Sequence, residues 1–289
     1  MPDDPKPDAA RALAAVLGLD APIAVVDVGA NPIDGAPPYR PLLDLGLARV
    51  TGFEPQADAL ARLRAAAGPH ETYLPDAVGD GAVHTLHLCR APGMASLLAP
   101  DPDALALFHG FPEWGEVTAT RAVATRRLDD IPEVDAIDYL KIDVQGAECL
   151  VFEGARAKLA GAVAVHTEVS FVPLYRGQPP FGAVDLWLRE AGFLPHAFAA
   201  INRRAIAPTM IGNDVYAGLN QLLEADVVYV RDLRRPDALD DGRLRRLAAV
   251  AQCCYGSFDL AIRCLAILAQ RGAVAADATA RFVAALQAR

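Results

Sequence analysis

The chain has 289 residues, 53% of them apolar and 22% charged, with a formal net charge of −9. That length holds one large or two small domains with a real core, and the composition is far from that of a disordered chain. The negative charge argues against a general nucleic-acid binder, and no apolar run approaches the ~18 residues of a membrane span. Five cysteines without a C-x-x-C pair suit reduced thiols. The start, Met1-Pro2-Asp3-Asp4-Pro5, lacks the basic and apolar regions of a secretory signal. A cytoplasmic protein is expected.

Asp8 reads as the cap of a helix over Ala9–Leu17. Ile23-Ala24-Val25-Val26-Asp27-Val28 is a compact apolar run closing on Gly29, the pattern of a buried strand entering a turn. A helix over Leu42–Leu47, a strand Arg49–Glu54 and a helix from Asp58 to Ala67 follow. From Thr72 to Cys89 the pattern becomes strand, turn, strand, with Gly79-Asp80-Gly81 as the turn. Val117–Arg127 alternates like a strand, and Ile137–Val144 is a further strand ending on a carboxylate. A helix Ala147–Leu159, a strand Ala162–Val169, a helix Phe181–Glu190 and strands Phe193–Ala199 and Asp226–Arg231 complete the alternation. Past Pro236, Leu239–Gln270 and Ala275–Ala288 carry only amphipathic helical patterns.

Strands alternating with helices predict an α/β fold: a doubly wound, mostly parallel sheet with helices on both faces, plus a C-terminal helical appendage. The corresponding division is an N-terminal helical segment (1–20), an α/β domain (21–235) and a helical C-terminal part (236–289).

Such sheets bind ligands beyond the carboxyl ends of their strands. Three of those ends carry candidate residues: Asp27 with Gly29, Glu54, and Asp143 before Val144-Gln145-Gly146-Ala147-Glu148. A carboxylate at Glu54 suits both hydroxyls of a ribose. The glycine-rich phosphate signatures G-x-x-x-x-G-K-[ST] and G-x-G-x-x-G are missing, which disfavours nicotinamide and phosphate chemistry. An acidic rim suits a ligand with a sulfonium and an ammonium group, which points to S-adenosylmethionine.

The succession Asp27-Val28-Gly29-Ala30-Asn31, Gly52-Phe53-Glu54-Pro55, Asp76-Ala77-Val78-Gly79-Asp80, Arg127-Leu128-Asp129 and Leu140-Lys141-Ile142-Asp143-Val144-Gln145-Gly146-Ala147-Glu148 resembles the FkbM-type methyltransferase family, over about residues 21–170. The resemblance implies a class I S-adenosylmethionine-dependent fold and O-methylation of a sugar, glycan or polyketide-type hydroxyl. By position it implies that Asp27, Gly29 and Asn31 line the methionine end and that Glu54 holds the ribose. Asp76 and Ala77 would flank the adenine, and Asp143 would sit at the methyl-transfer edge. Two features depart from the family pattern. The segment Asn31-Pro32-Ile33-Asp34-Gly35-Ala36-Pro37-Pro38-Tyr39 is long and stiffened by prolines, and Gln145 replaces a common glutamate.

Methyl transfer to a hydroxyl needs alignment and a group that takes the proton. Strand alternation puts His166 and Glu168 on one face, so these two and Asp143 are the catalytic candidates, with His196, Tyr175 and Asp214 behind them. The bland alternative makes His166 and Glu168 structural. His84, His87 and Cys89 do not share a face, so no metal site is expected there. The loop Pro92–Leu98 reads as a lid or a surface crossing, and the arginines between 231 and 246 as an anion patch or a solvated face. The expected partner is a small-molecule or glycan acceptor, with a homo-oligomer through the C-terminal helices as a further expectation. The rival reading is a noncatalytic methyltransferase-like scaffold whose proline-rich segment has closed the cofactor pocket.

Overall fold

The computed structural model describes residues 7–31 and 35–288. The acidic start and Pro32-Ile33-Asp34 of the proline-rich segment lie outside the described residues. Helix α1 (Pro7–Leu17) leads into β1 (Ile23–Val28), α2 (Arg40–Asp44), β2 (Ala48–Phe53), α3 (Ala57–Ala66) and β3 (Glu71–Leu74). Strands β4 (Ala77–Val78), β5 (Val83–Cys89) and β6 (Val117–Arg126) come next, with α4 (Pro102–Leu105) and α5 (Phe111–Trp114) between the last two. Then come β7 (Tyr139–Ile142), α6 (Glu148–Glu153), α7 (Arg156–Leu159), β8 (Ala164–Ser170) and α8 (Phe181–Glu190). β9 (Phe193–Arg204), β10 (Gln221–Arg231), α9 (Asp241–Tyr255), α10 (Phe258–Gln270) and α11 (Ala278–Gln287) finish the chain.

Seven strands form one sheet in the order β3-β2-β1-β7-β8-β10-β9. All neighbours are parallel until β10, which runs antiparallel to both β8 and β9. The sheet is the doubly wound, mostly parallel arrangement that the pattern predicts, in the class I form that the family resemblance implies. Its order reverses between β1 and β7, and the crevice beyond those strand ends is where such sheets take ligands.

Every residue of β1 is buried, as a run covered on both faces requires. Val25, Tyr139, Ala164 and Val228 pack under α1 and the helices α9–α11 on one face. Val26, Leu140, Val165 and Val227 pack under α6–α8 on the other. Three of the arginines between 231 and 246 belong to this framework, while Arg234 and Arg235 stand exposed. Arg231 donates to the carbonyls of Ala162 and Ala191 at 2.5 and 2.7 Å, and burial pulls its pKa down to about 10. Arg245 caps the Leu17 and Ala273 carbonyls, and Arg246 pairs with Asp138 at 3.4 Å.

Two local expectations are corrected. The strands around Gly79-Asp80-Gly81 do not pair with each other, because β6 inserts between β4 and β5 as a second sheet. The Thr125 hydroxyl of β6 anchors the turn, accepting from Gly81 N at 3.1 Å and donating to Ala82 O at 2.9 Å. The helix expected over Ala147–Leu159 breaks at Gly154, where a Cβ would lie 2.1 Å from the Gly79 carbonyl oxygen. Asp129 then caps the second piece through Ala157 N and Lys158 N, at 3.0 and 2.9 Å.

Candidate active site

A cavity of about 680 Å³ opens beyond the carboxyl ends of β1, β2, β7 and β8. The volume falls within the range of small-molecule sites. Among the described lining residues, six carboxylates (Glu54, Asp76, Asp143, Glu168, Glu224 and Asp226) face one guanidinium, that of Arg204.

Gly29, Asn31, Glu54, Asp76 and Ala77 all line one half of this cavity. Glu54, at the end of β2, is 3% exposed and accepts from Gln56 N at 2.7 Å through one carboxylate oxygen. Burial holds its carboxyl above the ordinary glutamate range against the pull of that N–H. Its other oxygen has no hydrogen-bond partner among the described residues. Asp76 pairs with Arg126 at 3.0 Å. The freedom of Gly29 (φ +78°) serves the protein's own backbone. A Cβ there would lie 1.9 Å from the Asp143 carbonyl oxygen, so the glycine lets the β1 and β7 turns meet.

Asp27 does not reach the cavity wall. It is 2% exposed, accepts from the Tyr39 hydroxyl at 2.7 Å and stands 3.4 Å from Lys141 Nζ. The same ammonium donates to the Gly29 carbonyl at 3.1 Å. Burial opposes the Lys141 charge, but the Asp27 and Asp143 carboxylates outweigh it and raise its pKa. Asp27, Tyr39 and Lys141 therefore brace the Gly29 turn from beneath. Tyr39 closes the proline-rich segment, so the described end of that segment supports the floor.

The other half is acidic. Gln145 sits at φ +54°, in the left-handed region, just before Gly146 at +97°. This conformation directs its side-chain amide to Asp143 at 2.8 Å and to Glu168 at 3.3 Å. Glu148 is buried and accepts from Val144 N and Gly146 N, both at 3.1 Å, locking the turn. Burial pushes its pKa up to about 7. Carboxylate oxygens of Asp143, Glu148 and Glu168 all lie within 4.8 Å of one another. Desolvation, then the Asp143 and Glu224 charges, raise the Glu168 carboxyl well above the ordinary range. Burial raises Glu224 as well.

His166 shares a sheet face with Glu168 but stands one layer back. Its Nδ1 meets the Tyr255 hydroxyl at 2.9 Å, its ring stacks on Tyr255, and its Nε2 lies 3.7 Å from Asp226. Tyr255 in turn hydrogen-bonds Tyr139. Among the described residues, His166 meets the cavity lining through Asp226. Tyr175 lines the cavity, whereas His196 bonds Ser257 at 2.7 Å and Asp214 caps Tyr216 N at 2.8 Å. His84 bonds Asp80 at 2.8 Å.

The segment Pro92–Leu97 forms part of the wall. Ser96 is buried and donates to the Gln145 carbonyl at 2.7 Å, so this loop is tied to the Asp143 turn. Sequence reasoning missed Lys141, Tyr39, Glu224 and Asp226 as site residues.

A family model described as Methyltransferase FkbM domain matches residues 27–195, more than half of the chain. The chain belongs to the FkbM methyltransferase family. Within curated proteins it is similar to the 2-O-methyltransferase NoeI of Sinorhizobium fredii (strain NBRC 101917 / NGR234). The identity is 28% over 186 residues, covering 60% of this chain and 74% of NoeI. In solved structures it is similar to precorrin-6y C5,15-methyltransferase from Geobacter metallireducens GS-15, at 11% identity and a TM-score of 0.37. That match covers 77% of this FkbM-family chain and 87% of the other. An uncharacterized protein from Listeria monocytogenes serotype 4b matches at 11% identity and a TM-score of 0.38, covering 95% of this chain and 98% of its own. Among the described residues, no helix is long and apolar enough to cross a membrane.

Proposed function

We propose that this chain transfers a methyl group from S-adenosylmethionine to a hydroxyl oxygen on a sugar, glycan or polyketide-type small molecule. One observation carries the reading: a single cavity runs from Glu54 at the end of β2, past Gly29, to the Asp143–Glu168 pair beyond β7 and β8. The buried Glu54 carboxylate, with an oxygen left without a partner, fits two adjacent ribose hydroxyls. Asp76 and Ala77 would flank the base, and Gly29 and Asn31 the methionine end. The six cavity carboxylates favour a ligand with cationic groups and disfavour one carrying several phosphates. Bound there, S-adenosylmethionine supplies an electrophilic methyl on a sulfonium.

The chain's own residues do the rest. The Gln145 amide holds Asp143 and Glu168 at a fixed separation, and Glu168 takes the proton of the acceptor hydroxyl. His166 steadies Asp226 from behind and is a positioning residue in this scheme. The name of the similar protein NoeI, a 2-O-methyltransferase, supports oxygen as the acceptor atom.

Calorimetric titration with S-adenosylmethionine and S-adenosylhomocysteine, beside a Glu54→Ala variant, tests the reading. Micromolar binding that weakens by about tenfold or more in the variant is expected. A folded wild-type chain that binds neither ligand removes the enzyme reading and restores the scaffold alternative.

A further inference from the structure

Strands β9 and β10 form a hairpin whose tip, residues 205–220, carries a single charged side chain, Asp214. That carboxylate is taken up by Tyr216 N. The apolar side chains of the tip stay in solvent instead of folding inward: Ile206 is 47% exposed, Ile211 43% and Tyr216 62%. Single exposed apolar residues are ordinary, but several on one flap with a single charge mark a binding surface.

The flap is fastened to the cavity mouth. Ala207 N donates to Leu107 O at 2.9 Å, and Ile206 bridges Phe108. The ring of Trp114, which lines the cavity, stacks on Tyr216 with centroids 5.4 Å apart. The guanidinium of Arg204 lies 5.6 Å from the Tyr216 ring and 6.0 Å from Phe111. Apolar surface therefore passes from the cavity wall through Trp114 and Tyr216 to the outer flap, while the carboxylates lie within.

We propose that this flap binds the alkyl or acyl portion of an amphiphilic acceptor whose hydroxyl-bearing head enters the cavity, an inference that rests on the methyl-transfer reading of that cavity. A neutral or cationic head suits the acidic floor, and the chain leaves past Trp114 along Tyr216, Ile206 and Ile211. A second copy of the protein would cover the flap without using its continuity with the cavity, so the acceptor is the favoured occupant.

The test uses methyl, hexyl and octyl β-D-glucosides below their micelle concentrations, titrated into the full chain saturated with S-adenosylhomocysteine. Affinity is expected to rise by about fourfold for each methylene that the flap covers. An Ile206→Ser/Ile211→Ser variant is expected to flatten that gradient with its S-adenosylhomocysteine affinity and melting temperature unchanged. A Met210→Ser variant provides a second reading from the same flap. No dependence on chain length, or a dependence that survives in both variants, overturns the proposal. So does a concentration-dependent dimer of the wild type that the double variant abolishes, since a second copy then covers the flap. Equal binding of wild type and double variant to phosphatidylcholine vesicles, with no glucoside gradient, overturns it too. Absence of S-adenosylhomocysteine binding in the wild type removes the reading of the cavity instead.

Discussion

Glu168 of β8 stands directly opposite Asp226 of β10, so two carboxylates share one cross-strand position at the edge of the cavity. Like charges in such a position repel. The arrangement persists because Gln145 donates to Glu168 and because Glu168 holds a proton well above the ordinary carboxylate range. The same repulsion makes Glu168 a good proton acceptor once it is ionised.

Glu168→Gln should lower kcat by about a hundredfold to ten-thousandfold, the usual worth of a general base. Wild-type activity should rise with pH through the elevated Glu168 pKa and level off above it, because only the ionised form accepts the proton. A pH–rate profile checks this, with S-adenosylhomocysteine affinity expected to be the same in wild type and variant.

Gln145→Glu should move the acid limb of that profile upward by about one pH unit, since a nearby like charge raises a carboxyl. It removes the amide donor that now joins Asp143 and Glu168 and adds a third negative charge beside them. An unshifted limb in the variant would show that Gln145 has no part in setting the base.

Glu148 sets a stability dependence of its own. Its folded pKa of about 7 exceeds the ordinary 4.5, so the folded chain keeps a proton that the unfolded chain releases. Its contribution is therefore fully present below the unfolded pKa and is lost as pH rises toward 7. Glu148→Gln keeps an oxygen acceptor for Val144 N and Gly146 N and removes the ionisation. Relative to wild type, the variant should gain up to about 3 kcal/mol at pH 8 and almost nothing at pH 4. Urea unfolding at the two pH values measures the difference.

Gly29→Ala should destabilise the fold by about 2–4 kcal/mol, since it adds a Cβ 1.9 Å from a carbonyl oxygen at a positive φ. The loss should appear in urea unfolding without any ligand. A variant of full stability that has lost only ligand binding would return Gly29 to the role of pure ligand clearance.

The strand ends are legible because apolar runs such as Ile23–Val28 stop on polar residues, and that pattern brings Glu54 and Asp143 to the cavity, whereas Asp76 follows only from the family resemblance. Asp27 was misread because a strand-end carboxylate looks the same whether it points outward or down. The corrective signal was available in Lys141, a cation within an apolar strand and therefore in need of a buried anion, which the β1–β7 register supplies in Asp27. His166 and Glu168 do share a face, as alternation requires, yet α9 returns over that face and places Tyr255 against the histidine. Nothing local to residue 166 encodes an approach made 89 residues later. Glu224 escaped because β10 begins earlier than its apolar stretch, and the register slips between Leu222 and Glu224.

The reversed direction of β10 has an evolutionary consequence. Because β9 ends and β10 begins at the cavity end of the sheet, the hairpin tip between them can lengthen, shorten or change composition without shifting any strand register. The half of the cavity around Glu54 is built from the opposite side of the sheet, on turns that lock one another through Gly29 and Asp143. Tolerance to change is thus distributed unevenly, with one half locked by backbone contacts between its turns and one hairpin tip outside that lock. If the flap holds the acceptor as proposed, transplanting residues 205–220 between relatives moves acceptor preference as a unit and leaves the other half intact.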